Sequence, residues 1–490
     1  MTRTRAIRLA AAAMLVVALY VLPIPERGLI GPDEPRYASV ARNMAESGDW
    51  ITPVLWDEPW FEKPALLFWL GGLANKAGVE AYTRVPVALV SLAFLVFFFR
   101  TTREEFDEPT AATATTILAT SAGWVAYSDA GVFDAPVAVF TSAALLALVP
   151  WVRQPDSRNA GRCMPAFGAL LGLAVLSKGL VGPVIATLAL VPALGTQPRR
   201  ALDLLGPRAL VPFGAVCLPW YLACYWRNGG VFVEEFILRH HWDRFFSPAL
   251  QHEQPIWFFV PVLLGFMLPW APMLCSLRRD TLWSKPLFRF LCAWTVLPLA
   301  FFSVSVNKLP GYILPVLPPL AILLAIQWRH NPKRRYLCAS AGALLLVPLA
   351  GALLPAALAD GITRAWAGLS AGDVLLGIGG ASILMAVLSV GLALKVDPQW
   401  AVTAVGLPAA VALALLKFQA YPATSEVAGT REFVERNATR IEESCVGDVR
   451  RHVAYGIRHY ASSAPPPCES QPRRLRIEGD PPRLEPFLGR

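Results

Sequence analysis

Apolar residues along this chain gather in long blocks separated by short polar breaks. A membrane-crossing helix needs about 20 mostly apolar residues. On that template the pattern predicts spans near 9–24, 81–99, 109–127, 135–151, 164–177, 180–195, 208–226, 255–275, 287–305, 311–327, 337–356, 372–395 and 400–417. Of these thirteen, 164–177 and 180–195 are short enough to form a re-entrant pair. The first follows a basic start (Arg3, Arg5, Arg8) and reads as a membrane helix with a cytoplasmic N-terminus, because no small-residue cleavage site follows it.

The loops support this count. Arg153–Arg162, Arg199–Arg208, Arg278–Lys285 and Arg329–Arg335 are basic, and alternation of the spans puts all four on one side, the cytoplasmic side. The mixed loop Arg100–Glu108 falls there too. The other side receives 25–80, 128–134, 227–254, 306–310, 357–371 and everything after about 418, segments rich in acids, aromatics and histidines. The tail from Tyr421 to Arg490 is polar, with a helical stretch around Thr430–Glu443 and a Pro/Arg-rich end. Two parts follow, a membrane part over 1–420 and a small outer domain over 421–490.

Composition agrees with an all-α polytopic membrane protein. Of 490 residues 55% are hydrophobic and 16% charged, against about 25% charged in soluble proteins. The net charge of +9 is the cytoplasmic excess of Lys and Arg, and nucleic acid is not an expected partner. Cys163, Cys217, Cys224, Cys275, Cys292 and Cys338 have no metal-ligand spacing and read as small core residues. Cys445 and Cys468 can pair if the tail faces an oxidising compartment.

Charged residues on the outer side supply the candidate chemistry. The first outer loop carries Asp33-Glu34-Pro35-Arg36-Tyr37, then an amphipathic stretch Tyr37–Glu46 expected in the interface, then Glu62-Lys63-Pro64. The second outer turn ends at Asp134, before an apolar span, where a helix cap is the plainer reading. Acids beside the hydrocarbon are costly, however, and three outer segments bring them to one side. Lys308 joins two spans and would snorkel outward, while Lys178 lies in the break of the short pair. Cations outside the cytoplasmic loops argue for an anionic substrate, and phosphate is the obvious one. Arg239-His240-His241-Trp242-Asp243-Arg244 is a poor metal motif, since adjacent histidines on a helix diverge. There is no phosphate-binding glycine loop, nucleophile elbow or Cys-rich zinc pattern.

Taken in order, Asp33 to Tyr37, Glu62-Lys63-Pro64, Asp134, Lys178-Gly179, His241 to Phe245 and Lys308-Leu309-Pro310-Gly311-Tyr312-Ile313-Leu314-Pro315 resemble the lipid-linked-sugar glycosyltransferases of the aminoarabinose transferase and protein O-mannosyltransferase superfamily. The resemblance covers roughly residues 1–420. It implies a GT-C fold of about thirteen membrane helices in a bacterial inner membrane, with the active site and C-terminus periplasmic. It implies a polyprenyl-phosphate sugar as donor and a glycolipid such as lipid A, or a protein, as acceptor. Asp33 and Asp134 match the catalytic acids; Glu34, Arg36, Tyr37, Glu62, Lys63, Lys178, Lys308 and Tyr312 match substrate-binding positions. The resemblance also raises a divalent metal on Glu62 and His241, without an identifiable third ligand. A flippase or transporter is the rival from another class, but such proteins often show two similar halves and no internal repeat is visible.

Overall fold

A computed structural model describes residues 14–25, 27–79, 81–154, 157–196, 201–236, 253–278, 286–347, 349, 380–463, 465–471, 473–480 and 482–486. Among them, six helices are long and apolar enough to cross a membrane, and three shorter apolar helices accompany them. The chain is a multi-pass membrane protein. The expected count of thirteen is not reached within the described residues; the second part of the expected span 337–356 and the start of 372–395 fall outside them.

The layer that carries the candidate site residues begins with helix α1 (Asp33–Ser47). A two-residue hairpin, β1 (Val54–Leu55) and β2 (Glu58–Pro59), then leads to α2 (Leu66–Lys76). Helix α3 (Arg84–Glu105) runs to the far side and α4 (Glu108–Ala119) returns. Asp107 caps α4 by accepting from the Thr110 amide, with Pro109 in the first turn, where its missing N–H costs nothing. Next come α5 (Asp134–Ala147), α6 (Arg158–Lys178), α7 (Val181–Thr196) and α8 (Pro207–Asn228). The remaining bundle helices are α9 (Pro286–Val304), α10 (Leu317–His330), α11 (Gly380–Lys395) and α12 (Pro398–Ala428). Helix α6 packs between α5 and α8, α7 against α9, and α4 between α10 and α12. The main core runs through these contacts, and α10 is buried at almost every position.

Three expectations change here. The short pair 164–177 and 180–195 is not two stubs: α6 has 21 residues and turns into α7 at Gly179, whose φ of 67° a side chain would oppose. The expected span 255–275 is broken into Phe259–Phe266 and a 3₁₀ turn at Ala271–Ser276, with Pro269 in the break and Pro272 at the start of the turn. It fills a matching interruption of 109–127 at Thr120–Ser121, where the Trp270 indole donates to Thr120 Oγ1 (2.9 Å) and the Ala122 amide to the Leu268 carbonyl (2.8 Å). Interruptions at membrane depth persist where protein re-satisfies the freed backbone groups, as here. Helix α1 is not a loose interfacial helix either, because Glu34 to Ala41, Met44 and Ala45 are all buried.

Helix α12 has 31 residues and runs well past the expected end at 417. Beyond it stand two short helices (Arg431–Arg436, Ala438–Glu442), strand β3 (Ser444–Val446), helix α13 (Arg451–Tyr460), β4 (Leu475–Glu478) and β5 (Arg483–Pro486). The strands form one sheet in the order β3-β4-β5, parallel then antiparallel. Val434, Ile441, Val453, Ile457 and Ile477 close its small core, and a disulfide joins Cys445 to Cys468. Of the six free cysteines, Cys275 is exposed rather than a core residue.

Candidate active site

Helix α1 starts at Asp33 directly after Pro32, so its first turn presents two carboxylates in succession that diverge. Asp33 stays 43% exposed and pairs with Arg36, one turn on. Arg36 is buried under the rings of Tyr37, Trp60 and Tyr455, which fix its guanidinium plane. Its Nη1 donates to Glu62 Oε2 (3.2 Å), and Glu62 Oε1 accepts from Lys63 Nζ (2.6 Å). A relay of alternating charge therefore runs from the exposed Asp33 to Lys63.

Glu62 and Lys63 then line an open cavity of about 860 Å³, mouth included, whose other walls include Asp134, Lys178, Asn307, Tyr312, Phe236 and Phe302. Lys178, the last residue of α6, donates to Asp134 Oδ1 at the start of α5 (2.7 Å) and lies over the Tyr312 ring. Gly311 makes this pairing possible: a Cβ there would sit 2.3 Å from Asp134 Oδ1. Asp33 is not on the cavity wall; Arg36 and Glu62 connect it to that wall. Tyr37 underlies the region against Phe133, with its phenol held above its usual pKa by burial and by the Asp33 and Glu62 carboxylates. The arrangement offers two ammonium groups facing one cavity, each beside a carboxylate. Such a pair can hold a phosphate and offset charge that develops on it.

Two of the predicted positions fall elsewhere. Glu34 points away from the cavity into a buried clamp. It accepts from Arg84 Nε (3.0 Å), from Arg84 Nη2, from Arg27 Nη2 (3.2 Å) and from the amides of Ile30 (2.9 Å) and Gly131 (2.8 Å). Burial opposes its charge, but Arg84 and Arg27 outweigh burial and lower its pKa to about 2. With both oxygens taken, it holds the first outer loop against α3 and the second outer turn. Lys308 does not snorkel; it is buried and donates to the carbonyls of Gln254 (2.7 Å) and Ser305. It braces the wall that carries Asn307 and Tyr312.

Sequence reasoning missed a second buried cluster. Asp129 is fully buried and accepts from Lys417 Nζ (2.8 Å) and from the Tyr421 hydroxyl (2.7 Å). Lys417 also donates to the carbonyls of Leu19 (3.0 Å) and Val125 (3.2 Å), tying α12 to the first membrane segment and the second outer turn. A lysine inside the apolar run Leu415-Leu416-Lys417-Phe418 was the available signal, since a charge at that depth demands a partner.

The metal expectation finds no support in the donor set. Glu62 is engaged by Arg36 and Lys63, His241 lies outside the described residues, and no group of three His, Cys, Asp or Glu side chains converges among the described residues.

The dolichyl-phosphate-mannose-protein mannosyltransferase family matches residues 6–228. An undecaprenyl phosphate-alpha-4-amino-4-deoxy-L-arabinose arabinosyl transferase of Yersinia pestis is 30% identical over 323 residues, 64% of this chain and 58% of the relative. Its counterpart in Pectobacterium atrosepticum is 32% identical over 322 residues, 64% of this chain and 57% of the relative. The chain thus spans less than two thirds of these relatives' length. The crystal structure of ArnT from Cupriavidus metallidurans bound to undecaprenyl phosphate superposes with a TM-score of 0.78 at 23% identity, covering 97% of this chain and 93% of that one. Its apo state gives 0.76 over the same coverage. The fold is shared along nearly the whole chain.

Proposed function

We propose that this chain, a member of the superfamily that joins the aminoarabinose transferases to the protein O-mannosyltransferases, moves a sugar from a polyprenyl-phosphate donor to lipid A or another surface glycolipid. The observation that carries the reading is the cavity lined by both Lys63 and Lys178 and joined by a charge relay to Asp33. The curated relatives, named for arabinosyl transfer from an undecaprenyl-phosphate aminosugar, support the donor half of this reading.

The chemistry follows from the donor. Its sugar C1 is bonded to a phosphate oxygen. As that bond breaks, the electron pair moves onto the phosphate, a good leaving group that needs little acid help. Lys63 and Lys178 offset the growing charge, and their carboxylate partners Glu62 and Asp134 hold the ammonium groups in place. The acceptor oxygen attacks C1 from the opposite face, so the anomeric centre inverts. A hydroxyl acceptor gives its proton to Asp33; a phosphate acceptor is already anionic and needs only orientation by Asp33 and Arg36. Tyr37 and Tyr312 shape the sugar's surroundings. Glu34 and Lys308 act by positioning.

The orientation fits this reading. Basic loops on the far side support a cytoplasmic N-terminus, and the Cys445–Cys468 disulfide suits an oxidising periplasm for the domain after α12. On this reading the active site lies on the periplasmic face of an inner membrane. Mass spectrometry of lipid A from cells carrying the wild-type gene, its deletion or Asp33→Asn tests the function. An aminopentose or hexose mass present only with the wild type supports it; unchanged lipid A in all three strains refutes the glycolipid acceptor.

A further inference from the structure

The exposed face of α13 is built around rings and guanidinium groups. Arg451, Tyr455 and Arg458 recur at i, i+4 and i+7, which puts them on one face of the helix, while Val453 and Ile457 point into the small core. That face meets the tip of the β1–β2 hairpin. Tyr455 packs on Trp56 with centroids 4.7 Å apart, and the Arg458 guanidinium lies 4.6 Å over the Trp56 ring. Arg451 Nε donates to the Tyr455 hydroxyl (2.8 Å), and the other approach to the Tyr455 ring is made by Arg36 of the charge relay.

Three features of this cluster are left unexplained by packing alone. Trp56 and Asp57 both have positive φ, 53° and 75°, a conformation that a bulky residue such as tryptophan avoids unless its surroundings impose it. The Trp56 Nε1–H is buried without an acceptor among the described residues. Arg451 and Arg458 are exposed and, among the described residues, neither pairs with a carboxylate, whereas their neighbour Arg450 pairs with Asp480. The cluster is rich in donors, poor in acceptors, held rigid by a strained turn, and one ring away from Arg36. Two cationic side chains on one helix face, free of carboxylates, suit phosphate through their charge.

We propose that Arg451 and Arg458 form a clamp for a phosphate group of the acceptor glycolipid, held at the rim of the site by the Trp56–Tyr455 ring contact. The proposal rests on the glycolipid reading above and narrows it to phosphorylated acceptors. The small outer domain then supplies part of the substrate site.

Binding distinguishes the clamp from the reaction. The full chain in phosphatidylcholine nanodiscs is titrated with bisphosphorylated lipid A and with the same lipid stripped of phosphate, and separately with undecaprenyl phosphate. Wild type is expected to prefer the phosphorylated glycolipid by at least about tenfold, and R451Q/R458Q to lose that preference while its thermal midpoint and its affinity for undecaprenyl phosphate hold. R451K/R458K keeps both charges and most of the preference. An unchanged preference in R451Q/R458Q overturns the clamp. So does an equal loss in R451K/R458K, because packing and not charge would then be at work. Phosphate-selective binding without any sugar transfer would leave the clamp standing and refute the transferase reading; transfer without phosphate selectivity would do the reverse.

Discussion

The ammonium of Lys178 lies 2.7 Å from the carboxylate of Asp134, joining the last turn of α6 to the first turn of α5. The contact fits only because residue 311 has no side chain. Gly311→Ala would drive a methyl group into Asp134 Oδ1 and part the pair. We expect normal membrane insertion with sugar transfer reduced by at least about tenfold, the cost of one misplaced charged contact. Transfer by the purified variant, followed by mass spectrometry of the glycolipid, checks this; a wild-type rate would mean the pair is not needed.

Glu34 contributes by holding two outer segments together. Glu34→Gln leaves Arg84 and Arg27 buried beside an amide, and breaking such a pair costs about 3–5 kcal/mol. The expected result is a large drop in thermal midpoint in detergent. Because its folded pKa is about 2, below the ordinary carboxylate value of 4.5, its stabilisation is complete above about 4.5 and fades as pH falls toward 2. The variant should therefore lack that part of the acid dependence seen in the wild type.

Asp129 and Lys417 should show strong coupling. Lys417→Met alone leaves a fully buried carboxylate with only the Tyr421 hydroxyl, and Asp129→Asn alone leaves a buried ammonium on carbonyls. Either single change is expected to destabilise by about 3–5 kcal/mol, and the double variant by less than the sum. A double-mutant cycle on detergent-solubilised protein measures the coupling; additivity would contradict the role assigned here.

Docking of the outer domain on α1 should weaken in acid. His459 is buried, its Nδ1 lies 3.0 Å from Ser39 Oγ, and Arg42 donates to its carbonyl (2.9 Å). Burial, reinforced by Arg42, lowers its pKa from 6.5 to about 3. The undocked chain binds a proton that the docked one refuses between those values, so docking is at full strength above about 6.5 and is lost progressively as pH falls toward 3. Hydrogen exchange across 451–460 at a series of pH values reads this, and His459→Gln should flatten the response.

The sequence placed Asp33, Glu62, Lys63, Asp134, Lys178 and Tyr312 on one side of the membrane, and the structure brings five of them to one cavity with Asp33 beside it. That much was legible because charges near hydrocarbon are few and each demands a reason. Glu34 was misread because adjacent carboxylates look equivalent in a string, while helical geometry sends one outward and the other under the loop. Lys308 was expected to reach water because hydropathy does not reveal nearby carbonyls. The broken segment Phe259–Ser276 and the interruption at Thr120 depend on each other, and no local pattern in either one shows the pairing. The role of α13 was invisible for the same reason: Tyr455 and Arg36 meet only when the tail folds back over the first outer loop.

In the proposed reaction Asp33 acts at the edge of a lysine-lined donor site. Its most direct test is single-turnover transfer by purified protein, wild type against Asp33→Asn, from an undecaprenyl-phosphate aminosugar to lipid A, with donor affinity measured in parallel. We predict a rate reduced by about 10²–10⁴-fold with donor affinity unchanged, as expected when a base or orienting carboxylate is removed. A folded Asp33→Asn protein that transfers at the wild-type rate would contradict the account.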